Sequence, residues 1–406
     1  MNCAYRTAIA PLRDLPRSRP LPSVAETVYA ERPSVPLFCL RPAAITSAAE
    51  RFVARFPGRV LYAVKCNPEP ALLRALWLGG VRDFDAASAA EVELIGQSFP
   101  SAGIHFMHPV KARPAIREAF VRHGVMDFAV DSADEMDKVL EEVGGDQGIG
   151  LLVRLALPKG GAVWDLSGKF GAAPGEAASL LRRARSAVRR VGLAFHVGSQ
   201  CLDPAAFERA LALAGRVVAE AGVTPDILDV GGGFPVAYDN VRPPEPETFF
   251  AAVARGVERL ALPSTTELWC EPGRALVAAG QSVVLRVLAR RDKALYVNDG
   301  IYGSLSDAGP PGFRFPTRPI AADGRILSAR PLPFTIFGPT CDSADRLKEP
   351  FLLPADIREG DWIEVGQIGA YGTALRTAFN GMDEAMLIEV RDDPLSVSAA
   401  SADRAA

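Results

Sequence analysis

RVLYAVK (59–65), VRDFD (81–85), IHFMH (104–108), MDFAV (126–130), IGLLVR (149–154), GLAFHV (192–197), ILDVG (227–231) and TELWCE (266–271) decide the fold. Each stretch is short, apolar and rich in strand-forming residues. Each is followed by a turn of small residues and then a helix-like segment. Strands alternating with helices predict a parallel sheet. Eight such units in roughly 215 residues match a (β/α)8 TIM barrel. An open doubly wound sheet is the alternative that periodicity leaves standing. Local helix signals agree. Asn67-Pro68 reads as a cap followed by proline in the first turn. Ser88 with Glu91, and Ser132 with Glu135, have capping-box spacing.

Past residue 280 the pattern changes. QSVVLRVLARRDKALYVND (281–299) reads as two strands and a turn, and FTIFG (334–338), DWIEV (361–365) and AMLIEV (385–390) as further strands. No helical periodicity intervenes, so a second, all-β domain is expected. The proline-rich stretch 310–333 reads as a surface loop or crossover. The expected division is 1–40 as an N-terminal segment partly joining the β domain, 41–280 as the barrel, 281–393 as the β domain and 394–406 as a frayed polar tail. The first 20 or so residues look similar to that tail. Residues 20–40 are expected to lend a strand to the β domain.

Composition sets the outer limits. Of 406 residues, 49% are hydrophobic and 23% charged, which is a globular balance. The formal net charge of −3 gives no reason to propose nucleic acid or an anionic membrane as partner. The N-terminal residues lack the apolar run of a signal peptide, and no stretch is apolar for long enough to span a bilayer. Cys3, Cys39, Cys66, Cys201, Cys270 and Cys341 are scattered without a CxxC pair, which suits a reducing cytoplasm. His105 and His108 fall in a predicted strand, where side chains three apart face opposite ways, so no metal is expected there.

In a parallel barrel the chemistry gathers at the C-terminal ends of the strands. The eight predicted strands end, among others, in Lys65, Asp85, Arg154, His196, the run Gly231-Gly232-Gly233, and Glu271 with Arg274 close behind. A lysine ending an apolar strand is partly desolvated, which lowers its pKa and suits imine formation. It is equally a lysine snorkelling out of the barrel mouth. Three glycines let backbone N–H groups approach a phosphate, or simply make a flexible turn. Glu271 either pairs with Arg274 or faces a protonated pyridine nitrogen. His196 either lies on an aromatic ring or packs in the core.

Taken together, YAVKCNP (62–68), FDAASAAE (84–91), FHVGSQ (195–200), DVGGGFP (229–235), EPGR (271–274), YVNDGIYGS (296–304), GPTCDSAD (338–345) and GAYGTALRTAFNG (369–381) resemble the fold-type III pyridoxal phosphate decarboxylases. This is the ornithine/lysine/diaminopimelate group related to alanine racemase. The segments occur in that family's order from residue 62 to 381. The resemblance implies pyridoxal 5′-phosphate as cofactor, bonded to Lys65. It implies His196 stacked on the ring and Glu271 paired with the ring nitrogen. Ser199, Gly233, Arg274 and Tyr371 would hold the phosphate, beside Gly231 and Gly232. Asp85, Glu91 and Arg154 would organise the surroundings of Lys65, although capping is a rival role for Glu91. It also implies a homodimer with shared sites. Cys341 would enter the other subunit's site to protonate Cα, and Asp342 would meet the distal amine. Tyr302, Phe379 and Asn380 would line the same region.

An aspartate at 342 suits a distal ammonium by charge, whereas relatives acting on diaminopimelate resemble Cys-Glu-Ser at that point. The implied substrate is a basic L-amino acid. Ornithine, giving putrescine and CO2, stands first; lysine or both follow, then diaminopimelate or diaminobutyrate. The second acid of eukaryotic ornithine decarboxylases falls here on Pro311, and Asp307 is its candidate replacement. Gln200 resembles the diaminopimelate enzymes. A racemase would need tyrosine where Cys341 lies. A catalytically dead regulator would have lost residues such as Lys65, which this chain keeps.

Overall fold

A computed structural model describes residues 9–11 and 21–397. The chain divides into two compact units. One comprises Ala48–Val236 and Pro243–Ala275; the other comprises the described residues up to Ser47, Ala237–Arg242, and those from Leu276 onward. The first is a closed barrel of eight parallel strands. They are β1 (Arg59–Ala63), β2 (Asp83–Ala86), β3 (Gly103–Phe106), β4 (Asp127–Val130), β5 (Gly150–Arg154), β6 (Arg190–Ala194), β7 (Ile227–Asp229) and β8 (Glu267–Cys270). Pairing of β8 with β1 closes the cylinder and removes the open-sheet alternative. Each quoted stretch supplies one strand, although several strands stop short of the predicted end.

Helix starts follow local chemistry, with corrections. The helix after β1 begins at Pro70 and not at Pro68. Glu69 is its cap, accepting from Ala71 N, and Asn67 Oδ1 instead accepts from Glu69 N at 3.1 Å. Ser88 and Ser132 do cap their helices. Their glutamates do not return the bond: Glu91 accepts from Ala87 N at 2.7 Å, and Glu135 is buried against Lys111 at 3.0 Å. A reciprocal capping box forms instead at Ser23 and Glu26.

The barrel interior packs Leu61, Met107, Ala129, Leu152, Ala194, Ile227 and Trp269. Its floor is polar because β1, β2, β4, β6 and β8 all begin with a charged residue. His105 lies buried between Asp127 (2.9 Å) and Asp83 (3.2 Å). Arg59 pairs with Asp83 at 3.0 Å, and Arg190 joins Asp127 (3.2 Å) to Glu267 (3.0 Å). Trp269 donates to Glu267 at 2.9 Å with both arginines beside its ring. Burial pushes the His105 pKa down, but the two carboxylates raise it further than burial lowers it. His105 is therefore a structural ion partner.

The second unit is a nine-stranded sheet assembly. Gln281–Arg291 and Ala294–Val297 form the expected hairpin around Asp292, at φ 49°. Leu37–Leu40 joins the sheet between Gln281–Arg291 and Ala385–Glu389, as expected of residues 20–40. The stretch 310–333 is not all loop. Thr317–Ile320 is a strand paired antiparallel with Trp362–Val365, and Pro331–Phe337 begins inside the same stretch. Pro319 is tolerated because its strand pairs on one side only. Phe351–Pro354 is a further strand that the sequence reading left unassigned. Much of the expected frayed termini, residues 1–8, 12–20 and 398–406, lies outside the described residues.

Candidate active site

Lys65 does not end a strand. β1 stops at Ala63, and Val64–Cys66 make a 3-10 turn closed by Asn67 N donating to Val64 O at 3.1 Å. The turn carries Lys65 outward. Its side chain is 42% exposed, and Nζ stands 2.6 Å from Oδ2 of buried Asp85. The expected desolvated lysine is thus a salt-bridged one, because the strand ends two residues early. Asp85 sits inside β2, level with Ala63. Glu91 lies close by, its pKa raised by burial and by Asp85, against the pull of the Ala87 N–H and Lys65. Arg154 ends β5 as expected.

His196 lies two residues beyond β6. Its Nδ1 accepts from Gly198 N at 2.9 Å, leaving Nε2 to carry the proton of a neutral ring. Burial, then Arg154 and Lys65, hold its pKa well below the usual value, so the ring is neutral near pH 7. Ser199 opens the short strand Ser199–Cys201, which pairs with Ala162–Trp164. Gly231 and Gly233 have φ 68° and 103°. A Cβ on Gly231 would collide with Phe195 O, and one on Gly233 with Gly198 O. These glycines let the β7 loop press on the β6 loop. Arg274 is buried and opens the short helix Arg274–Val277.

Glu271 follows β8 directly and is buried. No arginine pairs with it among the described residues, so the salt bridge to Arg274 is not formed. Its neighbour is Asp229 at the end of β7, a residue the sequence reading passed over. Asp229 Oδ1 accepts from Gly231 N at 2.8 Å. Asp229 Oδ2, Glu271 Oε1 and Asp85 Oδ1 are buried with no donor facing them. Burial, then Asp229 and Asp85, push the Glu271 pKa well up; burial raises Asp229 as well. The negative charge of Asp229 thus makes Glu271 harder to ionise. A ring N–H is the kind of donor Glu271 Oε1 lacks. An amine on Lys65, a neutral imidazole and closely packed glycines complete a set that fits pyridoxal phosphate.

In the second unit, Tyr302, Cys341, Asp342, Phe379 and Asn380 come together. Tyr302 donates to Asp342 Oδ2 at 2.6 Å, and its ring lies 5.1 Å from that of Phe379. Cys341 N donates to Asn380 Oδ1 at 3.2 Å, and the Cys341 side chain is exposed. The Ala344 N–H, then Tyr302, hold the Asp342 pKa below the ordinary carboxylate value. Asp307 is buried in the 3-10 turn Ser306–Ala308. Tyr371 adopts φ 61°.

Fold and site suit a pyridoxal phosphate-dependent enzyme. Residues 43–278 match the pyridoxal-dependent decarboxylase, pyridoxal binding domain, and residues 280–369 match its C-terminal sheet domain. The chain belongs to this decarboxylase family. It is 34% identical over 346 residues to the lysine/ornithine decarboxylase of Selenomonas ruminantium, covering 82% of this chain and 84% of that one. It is 32% identical over 369 residues to the ornithine decarboxylase of Schizosaccharomyces pombe, covering 85% and 81%. The solved lysine/ornithine decarboxylase of Vibrio vulnificus, complexed with putrescine, superposes with a TM-score of 0.76 at 31% identity, covering 90% and 96%. The arginine decarboxylase of Paramecium bursaria Chlorella virus gives 0.78 at 27% identity, covering 90% and 98%.

Proposed function

We propose that the protein is a cytoplasmic, homodimeric L-ornithine decarboxylase producing putrescine and CO2. The observation that supports a basic amino acid as substrate is the Tyr302–Asp342 pair at 2.6 Å. It presents an ionised, oriented carboxylate, which suits a distal ammonium and repels a distal carboxylate. The names of the relatives support both ornithine and lysine, so lysine is the second reading.

When bound, pyridoxal phosphate supplies the electron sink for the breaking Cα–carboxylate bond. Lys65, held by Asp85 at 2.6 Å, would bind the cofactor covalently, with Glu91 and Arg154 helping to set its surroundings. Glu271, backed by Asp229, would accept a ring N–H, and the neutral His196 would pack against the ring. Ser199, the Gly231–Gly233 loop and Arg274 would hold the phosphate, a role that the resemblance also gives to Tyr371. Cys341 of one subunit would give its proton to Cα in the other subunit's site, and Asp342 would meet the distal amine there. Asp307, Phe379 and Asn380 shape the amine's surroundings.

The test is to incubate the holoenzyme with ornithine, lysine, diaminobutyrate, arginine and diaminopimelate, and to identify the amines formed. Putrescine as the fastest product supports the assignment. Cadaverine as the fastest product moves it to lysine. Preferential turnover of diaminopimelate contradicts the role of Asp342.

A further inference from the structure

We infer that Asp345 is the positioning residue that sets the distal-amine contact, by tying the segment bearing Cys341 and Asp342 to the segment bearing Tyr302. Asp345 is buried three residues beyond Asp342. Its Oδ1 accepts from Ile301 N at 2.9 Å, across 44 residues of chain. Its Oδ2 accepts from Thr340 N at 3.1 Å and Thr340 Oγ1 at 2.8 Å. Its own N–H donates to Asp342 O at 3.0 Å, and its carbonyl accepts from Gly338 N at 2.9 Å. One carboxylate thus holds both segments immediately beside the side chains that matter.

The chain is shaped to this carboxylate. A Cβ on Gly300 or Gly338 would collide with Asp345 Oδ1. Asp299 stiffens the tyrosine segment in the same way. It accepts from Gly300 N at 2.9 Å, Ser304 N at 3.1 Å and Ser304 Oγ at 2.6 Å. With both segments fixed, Asp342 has each oxygen occupied by a set donor: Ala344 N at 2.9 Å on Oδ1 and the Tyr302 hydroxyl on Oδ2. A carboxylate held this way loses little freedom when it receives an ammonium. Asparagine at 345 cannot reproduce the clamp, because in either orientation its NH2 would face a backbone N–H, that of Thr340 or that of Ile301, donor against donor.

This inference rests on Asp342 as the distal-amine contact. The test compares kcat/KM for ornithine with that for norvaline, which has the same carbon chain without the distal amine. It uses wild type, Asp345→Asn, Thr340→Val and Thr340→Ser. The expected result is an ornithine-to-norvaline ratio at least about tenfold lower in Asp345→Asn, mainly through KM for ornithine, with cofactor affinity unchanged. Thr340→Val lowers the ratio less, and Thr340→Ser restores it. An unchanged ratio, or equal losses on both substrates, overturns the clamp. If Asp345→Asn does not fold, Thr340→Val decides by the same criterion. A second reading separates the clamp from the substrate assignment. Hydrogen bonding to Asp342 raises the Tyr302 pKa above the ordinary tyrosine value. That ionisation is read at 295 nm as a difference against the matching Tyr302→Phe protein. It falls toward the ordinary value in Asp345→Asn if the clamp is real and stays put if it is not. If wild type shows no preference for ornithine, the substrate reading fails while this titration still judges the clamp.

Discussion

In the proposed mechanism Lys65 and Glu271 divide the work at the residue scale: Lys65 would bond the cofactor and Glu271 would hold its ring nitrogen. Lys65→Ala removes the only side chain placed to bond the aldehyde in this account. The altered protein should therefore lack the visible absorption of a lysine-bound cofactor; a retained band would reassign the attachment. Glu271→Gln keeps the shape but gives up the charge. We expect kcat to fall on the order of 10²-fold with cofactor still bound. A loss in KM alone would mean that Glu271 only shapes the pocket. The places of Lys65, His196 and Glu271 at the barrel rim were legible in the sequence because each lies within two residues of a barrel strand's end. Asp229 was not, because its strand reads as packing until β8 brings Glu271 beside it. Asp345 was hidden for a related reason: its partner Ile301 is 44 residues away, and no local pattern reports such a pairing.

Among the elements, the barrel floor and the β7 loop carry testable costs. His105 has a raised pKa in the folded protein, so its contribution is fully present below its unfolded value near 6.5. That contribution is lost as pH rises through the higher folded value. The Tm gap between wild type and His105→Gln should therefore be wider at pH 6 than at pH 9, as followed by calorimetry. An equal gap at both pH values would mean that packing, not charge, explains the floor. Gly231→Ala forces a Cβ at φ 68° into Phe195 O. It should lower stability by more than about 1 kcal/mol and weaken cofactor binding, measurable by denaturant titration and by cofactor retention on dialysis. The eight barrel strands were readable because fully buried strands are continuous apolar runs. Thr317–Ile320 was not, because Pro319 and its neighbours look like a loop until one-sided pairing explains them. Helix starts were misplaced where two candidate prolines, Pro68 and Pro70, competed one residue apart from the capping Glu69.

For the whole molecule, the account requires two chains per working site, with Lys65 from one and Cys341 from its partner. Lys65→Ala and Cys341→Ala homodimers should each be nearly inactive. Mixing them in equal amounts and allowing exchange should restore about one quarter of wild-type activity, since half the dimers are mixed and each has one intact site. No restoration, with exchange verified by mass, would place both residues in one subunit's site. The order of the motifs from 62 to 381 made the two-part chain legible, but assembly rests on surfaces that no periodicity encodes. The most direct test of the central claim is stoichiometric: supply the holoenzyme with ornithine carrying a labelled carboxylate, and measure labelled CO2 and putrescine together. The account predicts equal amounts of the two, rising with added cofactor and absent in Lys65→Ala. Cofactor-loaded enzyme that releases neither product from ornithine would contradict it.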